Sequence, residues 1–327
     1  MKLATLPGST RDGRLVVVSR DLKTAVDATG IAATMLEAIE NWSTVEQPLR
    51  ELSDKLNAGQ VTGSFAFDTA QALAPLPRCH QFIDASAFLN HGDIMERAFN
   101  LTVKKDPNAP ILVQRQSDDF MGPCVDYPFP SEADNCDFEG EFAAILDDTP
   151  MGCTPAQAMS HIKLITILND VSMRAHLFRE LSMGFGFILA KPATVFAAVA
   201  VTPDELGAAW RDGRIHLDLT VTRNGEHFGH PNGGQMDFPF GNIISHIAYN
   251  RNLKAGAILG TGTVSNKNWH EVGSACLAER RALDILEFGE VRTDFLRFGE
   301  KLRFEVFGED GQSVFGAIEQ TMVEFKR

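Results

Sequence analysis

The alternation of apolar and polar positions divides the 327-residue chain into strand-like and helix-like stretches. "MKLATL" and "GRLVVVSRDLKTAVDA" read as β-type runs around the turn cluster "PGSTRDG". Residues 31–57 carry apolar side chains at steps of three and four, which predicts helix, with Gly59 as a stop. "QALAPLPRC" reads as a linker, so the pattern predicts a small N-terminal α+β unit over 1–75 and a larger one over 76–327. In the larger unit helices are expected at "SAFLNHGDIMERAF", after Thr154 as N-cap, and at "FGNIISHIAYNRN". Strands are expected at "APILVQRQ", "DFEGEFAAILDD", "IKLITILND", "TVFAAVAVTP", "RIHLDLTVTRNGEHFG", "AILGTGTVSN" and through "KLRFEVFGEDGQSVFGAIEQTMVEF". Strands outnumber helices, which predicts a β-dominated α+β fold.

One strand breaks the usual rule. In "DFEGEFAAIL", Glu139 and Glu141 point to one side, roughly 7 Å apart at Cα, while Phe138, Gly140 and Phe142 occupy the other. An exposed edge strand would account for two glutamates in this pattern. On a buried strand two like charges resist ionisation, and a divalent cation with oxygen ligands removes the conflict. Further acids stand in similar settings. "LITILNDVSMR" ends an apolar run at Asn169–Asp170, and Asp84 lies in "HQFIDASAFLNHGDIM". If 84–98 is helical, His91 lies two turns from Asp84, about 10 Å away. One group would then hold a metal and the other act on water.

Composition narrows the classes. A net charge of −13 argues against nucleic acid or an anionic membrane as partner, and requires local cations for an anionic substrate. Five cysteines at irregular spacing give neither a disulfide framework nor a zinc ribbon and fit a reducing compartment. No secretory core or run of about 18 apolar residues occurs, so the expected location is cytoplasmic. No G-x-G-x-x-G, P-loop or G-x-S-x-G motif is present, and "GFGF" at 184–187 is too short for a phosphate loop.

Taken together and in order, "DASAFLNH", "DFEGEFA", "NDVSMR", "GFGFILAKP" and "ILGTGTVSN" resemble the fumarylacetoacetate hydrolase family over residues 80–325. The resemblance implies a β-sandwich roll and a Mg²⁺ or Ca²⁺ ion, with Mn²⁺ as a variant, held by Asp84, Glu139, Glu141 and Asp170. It implies His91 as water-activating base assisted by Glu279, and Arg174, Lys191 and Thr263 as substrate contacts. Lys191 is also the implied proton donor. The animal enzymes place a Tyr where this chain has Ser86 and a Gln where it has Leu177, and an Arg whose nearest counterpart here is Arg97. The implied activity is hydrolysis of a C–C bond in an anionic β-diketone or acylpyruvate-type oxo-acid, with fumarylacetoacetate, giving fumarate and acetoacetate in aromatic amino-acid catabolism, as the expected substrate and fumarylpyruvate or another acylpyruvate as the alternative. Decarboxylation, hydration or tautomerisation on the same metal, and a non-catalytic paralogue, are the further alternatives. The family also implies a homodimer.

Overall fold

The computed structural model describes residues 1–100, 106 and 108–326. It is a β-dominated α+β fold built on two principal sheets. The larger has ten strands in one path, in the order Phe65–Ala66, Thr24–Asp27, Arg14–Val18, Lys2–Leu6, Val199–Val201, Ile162–Asn169, Gly140–Leu146, Ile258–Gly260, Phe82–Ala85 and Leu112–Arg115. Val195–Phe196 pairs with Ile162–Asn169 off that path. Lys2–Leu6 pairs antiparallel with Val199–Val201, so residues from both expected units share one sheet. The second sheet runs Glu226–Gly229, Leu219–Arg223, Lys301–Val306, Ile318–Glu324 and Tyr127–Phe129.

Gly140–Leu146 is buried along its whole length. Phe142, Ala144 and Leu146 enter one apolar cluster, and Ala143 and Ile145 the other. Such a strand has no solvated face, so the polar alternation of Glu139 and Glu141 cannot be explained by water. Gly140 lets the strand press against the second sheet: a Cβ there would lie 2.7 Å from Leu219 Cδ2.

Several expected elements form as read. Thr154 caps Pro155–Ala158 in a full capping box with Gln157, and Phe240–Ile247 is helical. The stretch 31–57 forms two helices, Met35–Glu40 and Trp42–Asn57. One local expectation is corrected. The helix after "FIDAS" begins only at Leu89 and runs to Phe99, while Asp84 belongs to the strand Phe82–Ala85. Asp84 and His91 are therefore not one helical face. Ala87 is buried, and its carbonyl accepts from the Asp237 amide. Asp237 in turn accepts the Leu89 amide through Oδ2 at 2.8 Å, which sets where the helix starts.

Candidate active site

Sheet order assembles the acids. Phe82–Ala85 lies beside Ile258–Gly260, with Asp84 opposite Gly260. Ile258–Gly260 also pairs with Gly140–Leu146, which in turn pairs with Ile162–Asn169 so that Glu141 is opposite Leu168. Three strands in a run of four, with Ile258–Gly260 between the first two, thus deliver Asp84, Glu141 and, just past the strand end, Asp170. Ligand atoms of these three carboxylates lie within 4.8 Å of one another, and all three residues are buried. Gly260 makes room between the first two: a Cβ there would stand 2.7 Å from Asp84 Oδ1 and 2.9 Å from Glu141 Oε2.

The same two oxygens share one donor. The Gly262 amide donates to Asp84 Oδ1 at 2.9 Å and to Glu141 Oε2 at 3.1 Å. Glu141 Oε1, fully buried, has no hydrogen-bond partner among the described residues. Burial and the negative Asp170 push the Asp84 carboxyl up to about 7. Burial, Asp84 and Asp170 raise Glu141 well above the ordinary glutamate value. A buried, unpartnered acceptor among three crowded carboxylates is what a hard cation satisfies, and oxygen donors of this kind suit Mg²⁺, Mn²⁺ or Ca²⁺.

Glu139, expected as a fourth ligand, stands outside this triad. Its Oε1 accepts from Ser172 Oγ at 2.9 Å, Arg174 Nη2 at 2.6 Å and Lys191 Nζ at 2.9 Å, and its Oε2 accepts from Thr263 Oγ1 at 3.0 Å. Burial alone would raise its pKa, but the charges of Lys191 and Arg174 prevail and hold it well below the usual range. Lys191 bridges the groups, since Nζ also donates to Asp170 Oδ2 at 2.6 Å. Burial disfavours its ammonium, yet Asp170 and Glu139 raise its pKa and keep it charged.

Arg174 donates through Nε to Asp137 Oδ2 at 2.8 Å. Asp137 also accepts the Leu277 and Ala278 amides at 2.8 and 2.9 Å, closing the N-terminus of the helix Leu277–Phe288. The first turn of that helix carries Glu279. Its Oε2 is 2.8 Å from His91 Nδ1, and its Oε1 accepts from Ser274 Oγ at 2.9 Å. The structure thus brings His91 and Glu279, which the resemblance pairs, within hydrogen-bond distance of each other. Thr263 is buried, with its hydroxyl on Glu139 rather than free. Ser86 is exposed, next to Gly262, and Leu177 is partly buried on the helix Arg174–Met183. Arg97 lines a separate cavity of about 410 Å³ with Asn90, Lys267 and Trp269.

Four residues to which the pattern reading gives no role contribute as well. Arg115 donates from Nε to Asp170 Oδ1 at 3.0 Å and from Nη2 to the same oxygen. Burial would raise the Asp170 pKa, and Arg115 with Lys191 instead holds it low. Asn169 Oδ1 accepts the Glu139 amide at 3.1 Å, and the Asp170 amide donates to the Glu139 carbonyl at 2.9 Å. The Asn-Asp pair is thereby stitched to the E-x-E segment. Asp137 and Gly262 complete the set.

Comparison with known proteins gives the family and the fold. Residues 1–78 match the model described as fumarylacetoacetase N-terminal domain 2, and residues 81–323 the fumarylacetoacetate (FAA) hydrolase C-terminal model. The chain is 26% identical over 160 residues to the 2,4-didehydro-3-deoxy-L-rhamnonate hydrolase of Sphingomonas sp. (strain SKA58), covering 48% of this chain and 53% of that protein. It is 27% identical over 194 residues to a mitochondrial oxaloacetate tautomerase of Rattus norvegicus, covering 58% of each. The matched stretch thus spans little more than half of either relative. Among solved structures, maleylpyruvate hydrolase of Sphingobium sp. SYK-6 with manganese(II) and pyruvate superposes at a TM-score of 0.66 and 16% identity, covering all of both chains. Fumarylpyruvate hydrolase of Pseudomonas aeruginosa with Mn²⁺ and pyruvate gives 0.55 and 14%, covering 78% of this chain and 92% of that one. Both likenesses are of fold. With three-quarters of its length matched by the C-terminal family model, the chain belongs to the fumarylacetoacetate hydrolase family.

Proposed function

We propose that the protein is a divalent-metal-dependent hydrolase that cleaves the C–C bond of an acylpyruvate-type oxo-acid, releasing pyruvate and a carboxylic acid. The observation that carries this reading is the His91–Glu279 pair, with Glu279 on a helix whose cap residue Cys276 forms a β-bridge with Glu139, because hydrolysis needs a positioned base to activate water. The names of the maleylpyruvate and fumarylpyruvate hydrolases support the substrate class. Ser86 and Leu177, where the animal fumarylacetoacetate enzymes place Tyr and Gln, favour an acylpyruvate over fumarylacetoacetate itself.

Asp84, Glu141 and Asp170 would hold the ion, with Glu139 beside them anchoring Lys191 and Arg174. Bound there, a divalent cation supplies Lewis acidity and a template for the two oxygens of a 1,3-dioxo unit. With Glu279 as acceptor, His91 Nδ1 is the donor, and Nε2 is left to take a proton from water. The oxygen of that water bonds to the acyl carbonyl carbon, and the C–C bond breaks with its electron pair passing to the pyruvate enolate. The Lys191 ammonium offers positive charge to the developing anion and a proton to the enolate carbon.

A second reading, tautomerisation of oxaloacetate, draws on the rat relative's name. A spectrophotometric panel decides between them: fumarylpyruvate, maleylpyruvate, acetylpyruvate, fumarylacetoacetate and oxaloacetate, with Mn²⁺ or with EDTA, for wild type and His91→Ala. Expected is metal-dependent loss of acylpyruvate absorbance that His91→Ala abolishes. Enol–keto exchange of oxaloacetate alone, surviving His91→Ala, would overturn the hydrolase reading.

A further inference from the structure

The denticity of the three carboxylates is constrained by the protein. Asp84 Oδ1 and Glu141 Oε2 are both tied to the Gly262 amide, whose own position is fixed by the strand end at Gly260. Asp170 Oδ1 is tied more firmly. It accepts two donors from Arg115, and Thr194 Oγ1 adds a third at 3.3 Å. Arg115 does not depend on Asp170 for its place. It is 3% exposed, its Nη1 donates to the Lys191 carbonyl at 3.0 Å, and Nη2 reaches Thr194 Oγ1 at 3.2 Å and the Pro192 carbonyl at 3.4 Å. The Phe82 ring packs 5.8 Å from its guanidinium carbon.

Asp84 and Glu141 are thus each left one oxygen that the Gly262 amide does not hold, and Asp170 is left Oδ2, which also accepts Lys191 Nζ at 2.6 Å and keeps a second lone pair for an ion. Three monodentate protein oxygens, with the remaining positions open to water and substrate, fit the octahedral shell of a small cation. Ca²⁺ takes six to eight oxygens and commonly recruits a carboxylate through both of its own.

We propose that Arg115 is a positioning residue that sets ion choice: by holding Asp170 Oδ1 it confines that carboxylate to one coordinating oxygen, so the site takes Mg²⁺ or Mn²⁺ in preference to Ca²⁺. This rests on the metal reading above. Removing the guanidinium also removes a positive charge, which strengthens binding of any dication. That contribution is the same for Mn²⁺ and Ca²⁺, and it cancels in the ratio of their dissociation constants. A role in folding alone would likewise leave the ratio unchanged.

The experiment is isothermal titration of EDTA-treated, dialysed protein with MnCl₂ and with CaCl₂, for wild type and Arg115→Met, each checked for native circular dichroism. Wild type is expected to bind Mn²⁺ about tenfold or more tightly than Ca²⁺, and Arg115→Met to shrink that preference about tenfold, within the range for residues that orient metal ligands. An unchanged ratio in folded Arg115→Met overturns the proposal while leaving the metal reading intact. Failure of wild type to bind either ion overturns the metal reading instead. Should Arg115→Met not fold, Arg115→Lys keeps the charge but cannot offer both donors to Oδ1. Its preference must then fall toward Ca²⁺, and a wild-type ratio there overturns the proposal equally.

Discussion

A single added methyl group tests whether the carboxylate triad is the metal cradle. Gly260 has ordinary strand backbone, so alanine there meets no conformational penalty of its own. What it meets is packing. Its Cβ would stand 2.7 Å from Asp84 Oδ1, 2.9 Å from Glu141 Oε2 and 3.3 Å from Phe82 Cε2. Neither oxygen can retreat without leaving the Gly262 amide that both share. Overpacking of this kind costs about 1–3 kcal/mol, and displacing two of three ligands lowers metal affinity by about 10–100-fold. Gly30→Ala is the control, since a Cβ at Gly30 has nothing within 4 Å. Thermal melts in EDTA give the packing cost, and titration with MnCl₂ gives the affinity. The expected result is a modest loss of metal-free stability together with a large loss of Mn²⁺ binding in Gly260→Ala only. A folded Gly260→Ala protein that binds Mn²⁺ like wild type would mean that the ion sits elsewhere.

Two further outcomes follow from the same geometry. Glu279→Gln keeps the shape of the His91 partner but can donate to Nδ1 and so favour the wrong imidazole tautomer; kcat is expected to fall about 10²–10⁴-fold with Mn²⁺ affinity unchanged, and steady-state rates beside titration check it. In the metal-free protein the Asp84 carboxyl is raised from 3.8 to about 7, by burial first and then by Asp170. The folded state therefore binds a proton between these values that the unfolded chain releases, and stability falls as pH rises through this window, by about 4 kcal/mol in all. A bound dication replaces that proton, so the gap between melts in Mn²⁺ and in EDTA should widen from pH 5 to pH 7; a constant gap would contradict the raised carboxyl.

The legible part of the site was local in the chain. Asp84 and His91 straddle the passage from a strand to the helix Leu89–Phe99, the E-x-E segment opens one strand, and Asn169–Asp170 and Arg174 straddle the passage from a strand to the helix Arg174–Met183. Arg115 was not legible. It ends an ordinary-looking strand, and its partner Asp170 is 55 positions away. The two meet only because the sheet sets Leu112–Arg115 next to Phe82–Ala85, an order that alternation cannot specify. The pattern reading also assigns no helix to Leu277–Phe288, although Ala282, Leu283 and Leu286 mark one apolar face. Its start carries a weak signal, because the cap is Cys276 Sγ on the Glu279 amide, with the Asp137 carboxylate from a distant strand completing it. No membrane-length apolar helix occurs among the described residues.

The two glutamates of the E-x-E segment have opposite fates although they share a face and a depth. Glu139 is surrounded by four side-chain donors, two of them cationic, and is held ionised. Glu141 faces two other carboxylates, has a single backbone donor and keeps one oxygen with no partner. Burying a carboxylate without cations is unfavourable unless it binds a proton or a metal. Glu139 has already met that requirement within the protein, through Lys191 and Arg174. Glu141 has not, and neither has Asp84. Asp170 resembles Glu139 in this respect, since Arg115 and Lys191 hold it ionised, yet its carboxylate lies with those of Asp84 and Glu141. Cations therefore do not sort the acids by themselves: on the proposed reading the two uncompensated carboxylates supply the need for an ion, and Asp170 and Glu139 tie that place to Lys191.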